Sequence, residues 1–419
     1  MSTLRVLEFY SGIGGMVSDK IMHFAAEAAG WDYKIIKAFD INTTANEVNL
    51  LLKLSIKDRQ QFTHGSCIWV SGLCLQPRKI GYCTKALSLE FYDAQKADVW
   101  TMSPPCQPHT RTGLKLDSKD PRSKSFLYLM NMLPKMKHPP KYILVENVKG
   151  FDESDSRDVL IQQLEECEYT YQEFMLNPLQ MGIPNSRLRY YLLAKAKPLA
   201  FAMEPTGSII GYVPSSKLLT TEFKDERGVI IKDEETILKS EKVARRHIHE
   251  FLSHDEDLHQ YNVPDKVLLK HGHAFDIVKP SASRSCCFTK GYYHYVEATG
   301  SILQVNEDGD TDDTFNQLQL WKNSAREPGT SADEQDQSKV LTCLHHLQLR
   351  YFSPREVGNL MGFPTSFGFP ETMSLKQKYR TLGNSINVLV VAELMKYLVK
   401  EGSSMEPAAK MRKLEHSSQ

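Results

Sequence analysis

The sequence predicts an α/β protein built on an open, largely parallel sheet, with its ligand at the carboxyl ends of the strands. Three observations predict it. The chain opens as strand, glycine turn, helix and strand: Leu4 to Tyr10, Gly12-Ile13-Gly14-Gly15, a helix to about Ala29, then Ile35 to Phe39. A later apolar run, Ala97 to Met102, leads straight into Ser103-Pro104-Pro105-Cys106-Gln107-Pro108. Another, Tyr142 to Val145, leads into Glu146-Asn147-Val148. Short, nearly continuous apolar runs of this kind read as strands covered on both faces.

The elements follow in order. In the first helix Ile21, Phe24, Ala25 and Ala28 share one face, and Gly30 is a natural stop. Asp40 closes the second strand. From about Leu54 to Ala86 the period is lost, and Leu87 restores it. Ser125 to Met136 reads as an amphipathic helix, carrying Phe126, Leu129, Met130 and Leu133 and closed by Pro139-Pro140. A helix is expected near Ser156 to Cys167. Tyr171 to Leu176 and Leu188 to Ala194 read as a strand pair joined through Pro184-Asn185-Ser186. Lys197 to Arg350 is polar, charged and weakly periodic, and the acidic, serine-rich stretch Asn323 to Ser338 reads as a loop. Order returns at Leu349 to Leu360, in Met361-Gly362-Phe363-Pro364 and in a final helix from about Val388 to Lys400. The Gly, Ser, Pro and Lys content after Glu401 reads as a disordered tail.

The 419 residues are 41% hydrophobic and 24% charged, an ordinary globular balance. Net charge is zero, so binding to nucleic acid requires a local basic patch rather than a whole-protein field. No signal peptide and no membrane span is expected. The eight cysteines then read as reduced thiols of a cytosolic or nuclear protein. Cys67, Cys74 and Cys83 are too widely spaced for a zinc knuckle, and adjacent Cys286-Cys287 suit neither zinc nor a disulfide. His271/His273 and His345/His346 read as surface or packing residues, so no metal site is expected.

Four features carry chemistry. The glycine turn lets backbone N–H groups approach a ligand at a helix N-terminus, and Asp40 is placed to accept from a ribose. Alone, the turn fits a tight turn with a helix cap equally well. Pro104-Pro105 hold the Cys106 backbone extended at the sheet edge. A thiol of pKa about 8.5 needs local positive charge to attack at neutral pH, and Arg111, Arg187 and Arg189 are candidates. Most cysteines merely pack, but the flanking prolines oppose that reading here. Glu146 ends a buried strand, where burial raises a carboxyl pKa and suits it to proton donation; a structural cap on the next turn is the alternative. Arg187-Leu188-Arg189, read as a strand, turns both arginines to one side, where two guanidinium groups suit phosphates or a base carbonyl.

In this order, Gly-x-Gly-Gly, Pro-Pro-Cys-Gln-Pro, Glu-Asn-Val, Arg-x-Arg-Tyr and Gly-Asn-Ser-x-Asn-Val (Gly383 to Val388) resemble the cytosine-5 methyltransferases. Cys287-Phe288-Thr289-Lys290-Gly291-Tyr292, Gly150-Phe151 and the stretch from Phe363-Pro364 to Phe369-Pro370 resemble a narrower group, the DNA-methyltransferase-like tRNA methyltransferases. The likeness covers most of residues 2–53 and 87–400. It implies a Rossmann-like class I S-adenosylmethionine-dependent methyltransferase sheet with a small inserted target-recognition domain. Residues 1–196 would form the first part of the catalytic domain, 197–350 the target-recognition region with flexible loops, and 351–400 the return to the catalytic domain.

The same likeness assigns roles. Cys106 would add to cytosine C6, Glu146 would hold or protonate N3, Arg189 would contact O2, and Arg187 would support the loop or a phosphate. Phe9, Ser11, Gly12, Ile13, Gly14, Asp40, Ile41, Pro104, Asn384 and Val388 would line the S-adenosylmethionine pocket. Arg111, Asn147, Cys287, Thr289 and Lys290 would meet the substrate, with Tyr292 and Tyr293 adding stacking surface. The expected partner is tRNA, at cytosine 38 in the anticodon loop of aspartate tRNA, and the expected state is a monomer. An unpaired loop surrenders a base at less cost than a duplex. A DNA cytosine-5 methyltransferase and a non-catalytic RNA-binding homologue are the alternatives. His109 and Thr112 depart from the family pattern. Residues 54–86, which should hold the third strand and an adenine contact, do not resemble it at all.

Overall fold

The computed structural model describes residues 3–10, 18–39, 68–70, 73–75, 87–105, 123–214, 216, 245–254, 257–294, 298–324 and 334–402. Seven strands form the main sheet. They are β1 (Leu4–Phe9), β2 (Tyr33–Phe39), β5 (Val99–Met102), β6 (Tyr142–Val148), β7 (Tyr169–Leu176), β8 (Arg189–Ala196) and β9 (Ile209–Ile210), in the order β2-β1-β5-β6-β8-β7-β9. β2, β1, β5 and β6 run parallel. β8 lies antiparallel between β6 and β7. A short β3 (Ile68–Val70) and β4 (Leu73–Leu75) pair only with each other. The third strand expected from residues 54–86 is therefore not supplied by these two, and the rest of that segment lies outside the described residues.

The near-continuous apolar strands follow from helices on both faces. On one side Leu7, Phe9, Trp100, Ile143, Val145 and Leu192 pack on α3 (Lys124–Met132) and α4 (Asp155–Glu166). On the other, Val6, Val99, Leu144 and Leu193 pack on α1 (Ser18–Ala28) and on α10 (Val388–Val399). A short α2 (Leu89–Asp93) precedes β5. Its Tyr92 is fully buried and joins Phe9 and Phe39 in one aromatic cluster.

A smaller three-stranded sheet holds β10 (Asp276–Val278), β11 (Ser301–Gln304) and β12 (Leu349–Tyr351). Around it lie α5 (Asp265–His271), α6 (Thr311–Ser324) and α7 (Glu334–His346). The loop expected over Asn323 to Ser338 is thus corrected where it is described: its first residues end α6 and its last begin α7. Composition misled here. Val340, Leu344 and Leu347 recur at helical spacing and are buried, while Ser338, Lys339, Thr342 and His345 are exposed.

α8 (Pro354–Leu360) and α9 (Leu375–Gly383) lead back to α10. Together Leu375–Val399 is long and apolar enough to cross a membrane, yet its most apolar window is 78% buried, and Asn384 to Asn387 break it into two helices. It is core. α8 is anchored by a buried bidentate pair, Arg350 Nη1 and Nη2 to Glu356 at 2.7 and 2.8 Å, with Glu356 also capping through Ser353. Arg350→Met leaves the Glu356 charge buried without its partner. It should lower unfolding stability by about 3–5 kcal/mol in urea titration; a loss under about 1 kcal/mol would show the pair to behave as a surface one.

Candidate active site

Register brings the reactive residues together. Phe9 lies opposite Phe39 on β2 and Met102 on β5, and Met102 lies opposite Val145 on β6. The parallel strands therefore end in one line, and on three of them the next residues out are Tyr10, Ser103 and Glu146. β8 starts at the same edge, with Arg189 opposite Val148 and Tyr191 opposite Glu146. The sheet edge thus gathers the Cys106 lead-in, the carboxyl group and an arginine from three strands.

The lead-in is tied down. Ser103 N–H donates to Phe9 O at 3.3 Å, and Asn147 Nδ2 donates to Pro104 O at 3.3 Å. Asn147 Oδ1 accepts from Val148 N at 2.9 Å. Asn147 therefore clamps the backbone two residues before Cys106 to the strand that carries Glu146. Cys106 and Arg111 lie outside the described residues, as do Ser11, Gly12, Ile13, Gly14, Asp40 and Ile41.

Glu146 is 7% exposed. Burial pushes its carboxyl pKa up, while Arg189, Arg187 and a hydrogen bond with Ser103 pull the other way. The Arg189 Nε to Glu146 Oε1 distance is 3.5 Å, within ion-pair range but long for a hydrogen bond. That leaves a buried carboxyl with a protonated form held in reach, beside a cation able to meet an electron-rich oxygen. Tyr191, across from it, is also buried, and its hydroxyl is held protonated by burial and by the Glu146 charge.

Arg187 requires a correction. It precedes the strand rather than lying on it, and it is 4% exposed. Its Nη1 donates to Phe288 O at 3.0 Å and approaches Cys287 Sγ at 3.3 Å. Its Nη2 donates to Gly383 O at 3.1 Å and to Ser385 O. With Nη1 and Nη2 on these carbonyls the guanidinium is placed to support the loop, while its buried Nε has no hydrogen-bond partner among the described residues. Burial and the neighbouring Arg189 charge pull its pKa down. Sequence spacing could not separate the two arginines, because a turn and a strand present alternate residues alike over so short a stretch.

The Cys-Phe-Thr block and the Gly-Asn-Ser block meet here. A Cβ on Gly383 would stand 2.0 Å from the Thr289 carbonyl carbon and 2.2 Å from Lys290 N, so only glycine permits this backbone approach. Asn185 Nδ2 joins the turn to the block through Ser285 Oγ and Cys286 O at 3.1 and 3.0 Å. Thr289 is half-buried and Lys290 exposed. Tyr292 is not stacking surface: it is 3% exposed, and its hydroxyl donates to Ser301 O and accepts from Phe352 N. Val388 is buried at the start of α10, with its N–H on Met361 O, and Asn387 caps that helix at Leu389 N and Val390 N. Asn384 is half-buried at the end of α9. Phe9 is 1% exposed and stacks on Phe39 at 5.1 Å, beneath the strand ends. Gly383 as a contact point, and Ser103 and Tyr191 as neighbours of Glu146, were not singled out from sequence. Gly383 had a signal, a glycine inside a helix-ending motif. The other two had none, because cross-strand register is invisible in a linear chain.

Residues 78–400 match the family of C-5 cytosine-specific DNA methylases. The chain belongs to this family. A curated relative, the tRNA (cytosine(38)-C(5))-methyltransferase of Bos taurus, is 39% identical over 95% of this chain and 100% of its own. The crystal structure of a Spodoptera frugiperda DNMT2 triple mutant superposes with a TM-score of 0.67 at 35% identity, covering 95% of this chain and 100% of that one. The Schizosaccharomyces pombe Dnmt2 methyltransferase structure gives 0.65 at 34% identity, covering 95% and 98%. The fold is accordingly that of the α/β S-adenosylmethionine-dependent methyltransferases.

Two outcomes follow from this geometry. Glu146 has its folded-state pKa raised, so its stabilising contribution is present at low pH and is lost as pH rises through the raised value. Glu146→Gln should therefore raise the melting midpoint at pH 8 and leave it nearly unchanged at pH 4, while abolishing methyl transfer; an equal shift at both pH values would show an ionised, fully paired carboxylate. Arg187→Lys keeps the charge but loses the planar fork. We expect kcat/KM to fall about a hundredfold, about 2.7 kcal/mol. Activity within a factor of two of wild type would remove Arg187 from the site's support.

Proposed function

We propose that this chain methylates C5 of cytosine 38 in the anticodon loop of aspartate tRNA, using S-adenosylmethionine. The observation that carries the reading is the Cys287-Phe288-Thr289 block held by Arg187 against the Gly383–Ser385 carbonyls. It joins a sequence feature of the tRNA-directed relatives to the edge that carries Glu146 and Arg189. Full-length similarity to the bovine tRNA (cytosine(38)-C(5))-methyltransferase supports the substrate class.

Polar groups near the strand ends support the choice of such a methyl donor. The Thr101 hydroxyl on β5 is fully buried and has no hydrogen-bond partner among the described residues, and it lies opposite the buried Glu8 carboxyl on β1. An unmatched hydroxyl beside a carboxyl group suits a polar ligand that carries positive charge. Pro104 and Asn384, with the glycine turn and Asp40, would hold it. When bound, the donor supplies an electrophilic methyl group.

The protein's own residues do the rest. The Cys106 thiolate would add to C6 of the cytosine. Glu146 would place its proton on N3, which turns C5 into a nucleophilic enamine carbon. Arg189 would hold the base O2 and stabilise the negative charge that gathers there. After methylation, loss of the C5 proton to a base would restore the ring and expel Cys106. Asn147 would keep the Cys106 lead-in at the proper depth through Pro104.

The test is transfer of tritiated methyl from S-adenosylmethionine to in vitro transcribed aspartate tRNA, with duplex DNA assayed in parallel. Label should appear on the tRNA, disappear with Cys106→Ala and disappear when cytosine 38 is replaced. Label on DNA alone would transfer the assignment to a DNA methyltransferase.

A further inference from the structure

Tyr293 is one of six described non-glycine residues with a positive φ, and the activity described so far does not explain its conformation. Its backbone lies in the left-handed region, φ 70, where a bulky side chain is disfavoured and glycine is at home. Nor is the ring drawn there by burial, since Tyr293 is 37% exposed. One side of it is supported: it stacks on Tyr379 at 5.4 Å between centroids with planes 24° apart, and Tyr351 meets it edge-on at 4.9 Å. Strain of this kind persists at sites where the side chain has a use.

Its surroundings are cationic and continuous with the active site. Lys290, in the same turn, is exposed. Lys376, Arg380 and Gly383 share one face of α9 by helical spacing, and both cations on that face are exposed. The face ends where Gly383 abuts Lys290 N. Gly383 O is in turn held by Arg187, in the charge cluster of Glu146 and Arg189. The chain's overall charge is zero, so a local cluster of this kind is what a polyanionic substrate requires.

We propose that Tyr293 is a stacking platform for an unpaired base of the RNA that carries the target cytosine, with Lys290 and Arg380 meeting the adjoining phosphates. Tyr379 backs the ring and presents its open side to solvent, as in proteins that bind single strands by pairing an aromatic surface with a basic groove. The partner is single-stranded because a paired base has no free face to offer. This inference rests on the RNA-methylating function proposed above.

The experiment is a coupling cycle with the full-length protein. Dissociation constants for an end-labelled aspartate tRNA transcript are measured by fluorescence anisotropy for wild type, Tyr293→Gly and Tyr293→Phe, and repeated on transcripts carrying one abasic nucleotide at each anticodon-loop position in turn. Melting midpoints are recorded alongside. Tyr293→Gly should bind about tenfold more weakly without a lower midpoint, since glycine relieves the left-handed strain. Tyr293→Phe, which keeps the ring, should bind within about twofold of wild type. One abasic position should weaken wild type about tenfold and Tyr293→Gly no further. Equal binding by wild type and Tyr293→Gly, or additive losses at every loop position, would overturn the proposal, as would a protein contact that retains the wild-type affinity on a fully duplex RNA. If the wild type methylates duplex DNA and not the transcript, the RNA function itself falls and this inference with it; methylation of the transcript without coupling refutes Tyr293 alone.

Discussion

Arg187 is a buried cation whose guanidinium bonds to carbonyls from two distant stretches of chain, Phe288 on one side and Gly383 and Ser385 on the other. Burying such a group is costly unless its donors find acceptors, so those carbonyls must come together for it to be buried at all. They draw the Cys287–Thr289 block and the last helical connection onto the turn before β8. Gly383 completes the closure by letting backbone meet backbone. The guanidinium acts beside a second set of ties, in which Asn185 Nδ2, Ser186 N and Pro184 O bond to Ser285 and Cys286 at the start of the same block.

The same charge reaches the chemistry. Glu146 experiences burial in one direction and two guanidinium groups in the other, and burial is the larger influence. Its carboxyl pKa therefore lies above the ordinary carboxylate value, with the two guanidinium groups opposing the rise. Arg189, on the strand, faces the Glu146 edge with a long ion-pair distance, while Arg187, off the strand, is occupied by the backbone. One arginine thus faces the buried carboxyl group and the other is bound to backbone carbonyls.

Much of this was legible in the chain. The parallel strands, the helices at Ser125 and Ser156 and the final helix at Val388 announced themselves through apolar period, because each buries one face or both. The order of the motifs was enough to place the chain among cytosine-5 methyltransferases. The helices on either side of residues 325–333 were not legible, because acidic and serine content masked a period of buried leucines and valine. Tyr292 and Tyr293 looked alike as neighbours, yet one is a core hydroxyl anchor and the other a surface ring.

By itself, then, the sequence determined the fold class and the family, since hydrophobic period and motif order are local properties written along the chain. Only the tertiary structure decided which groups face one another. Glu146 meets Arg189 through antiparallel register, Asn147 reaches Pro104 across parallel strands, and Arg187 meets carbonyls about a hundred and two hundred residues away. Those meetings depend on long-range closure and on the cost of burying unpaired polar groups, and neither is encoded in the spacing of any single motif.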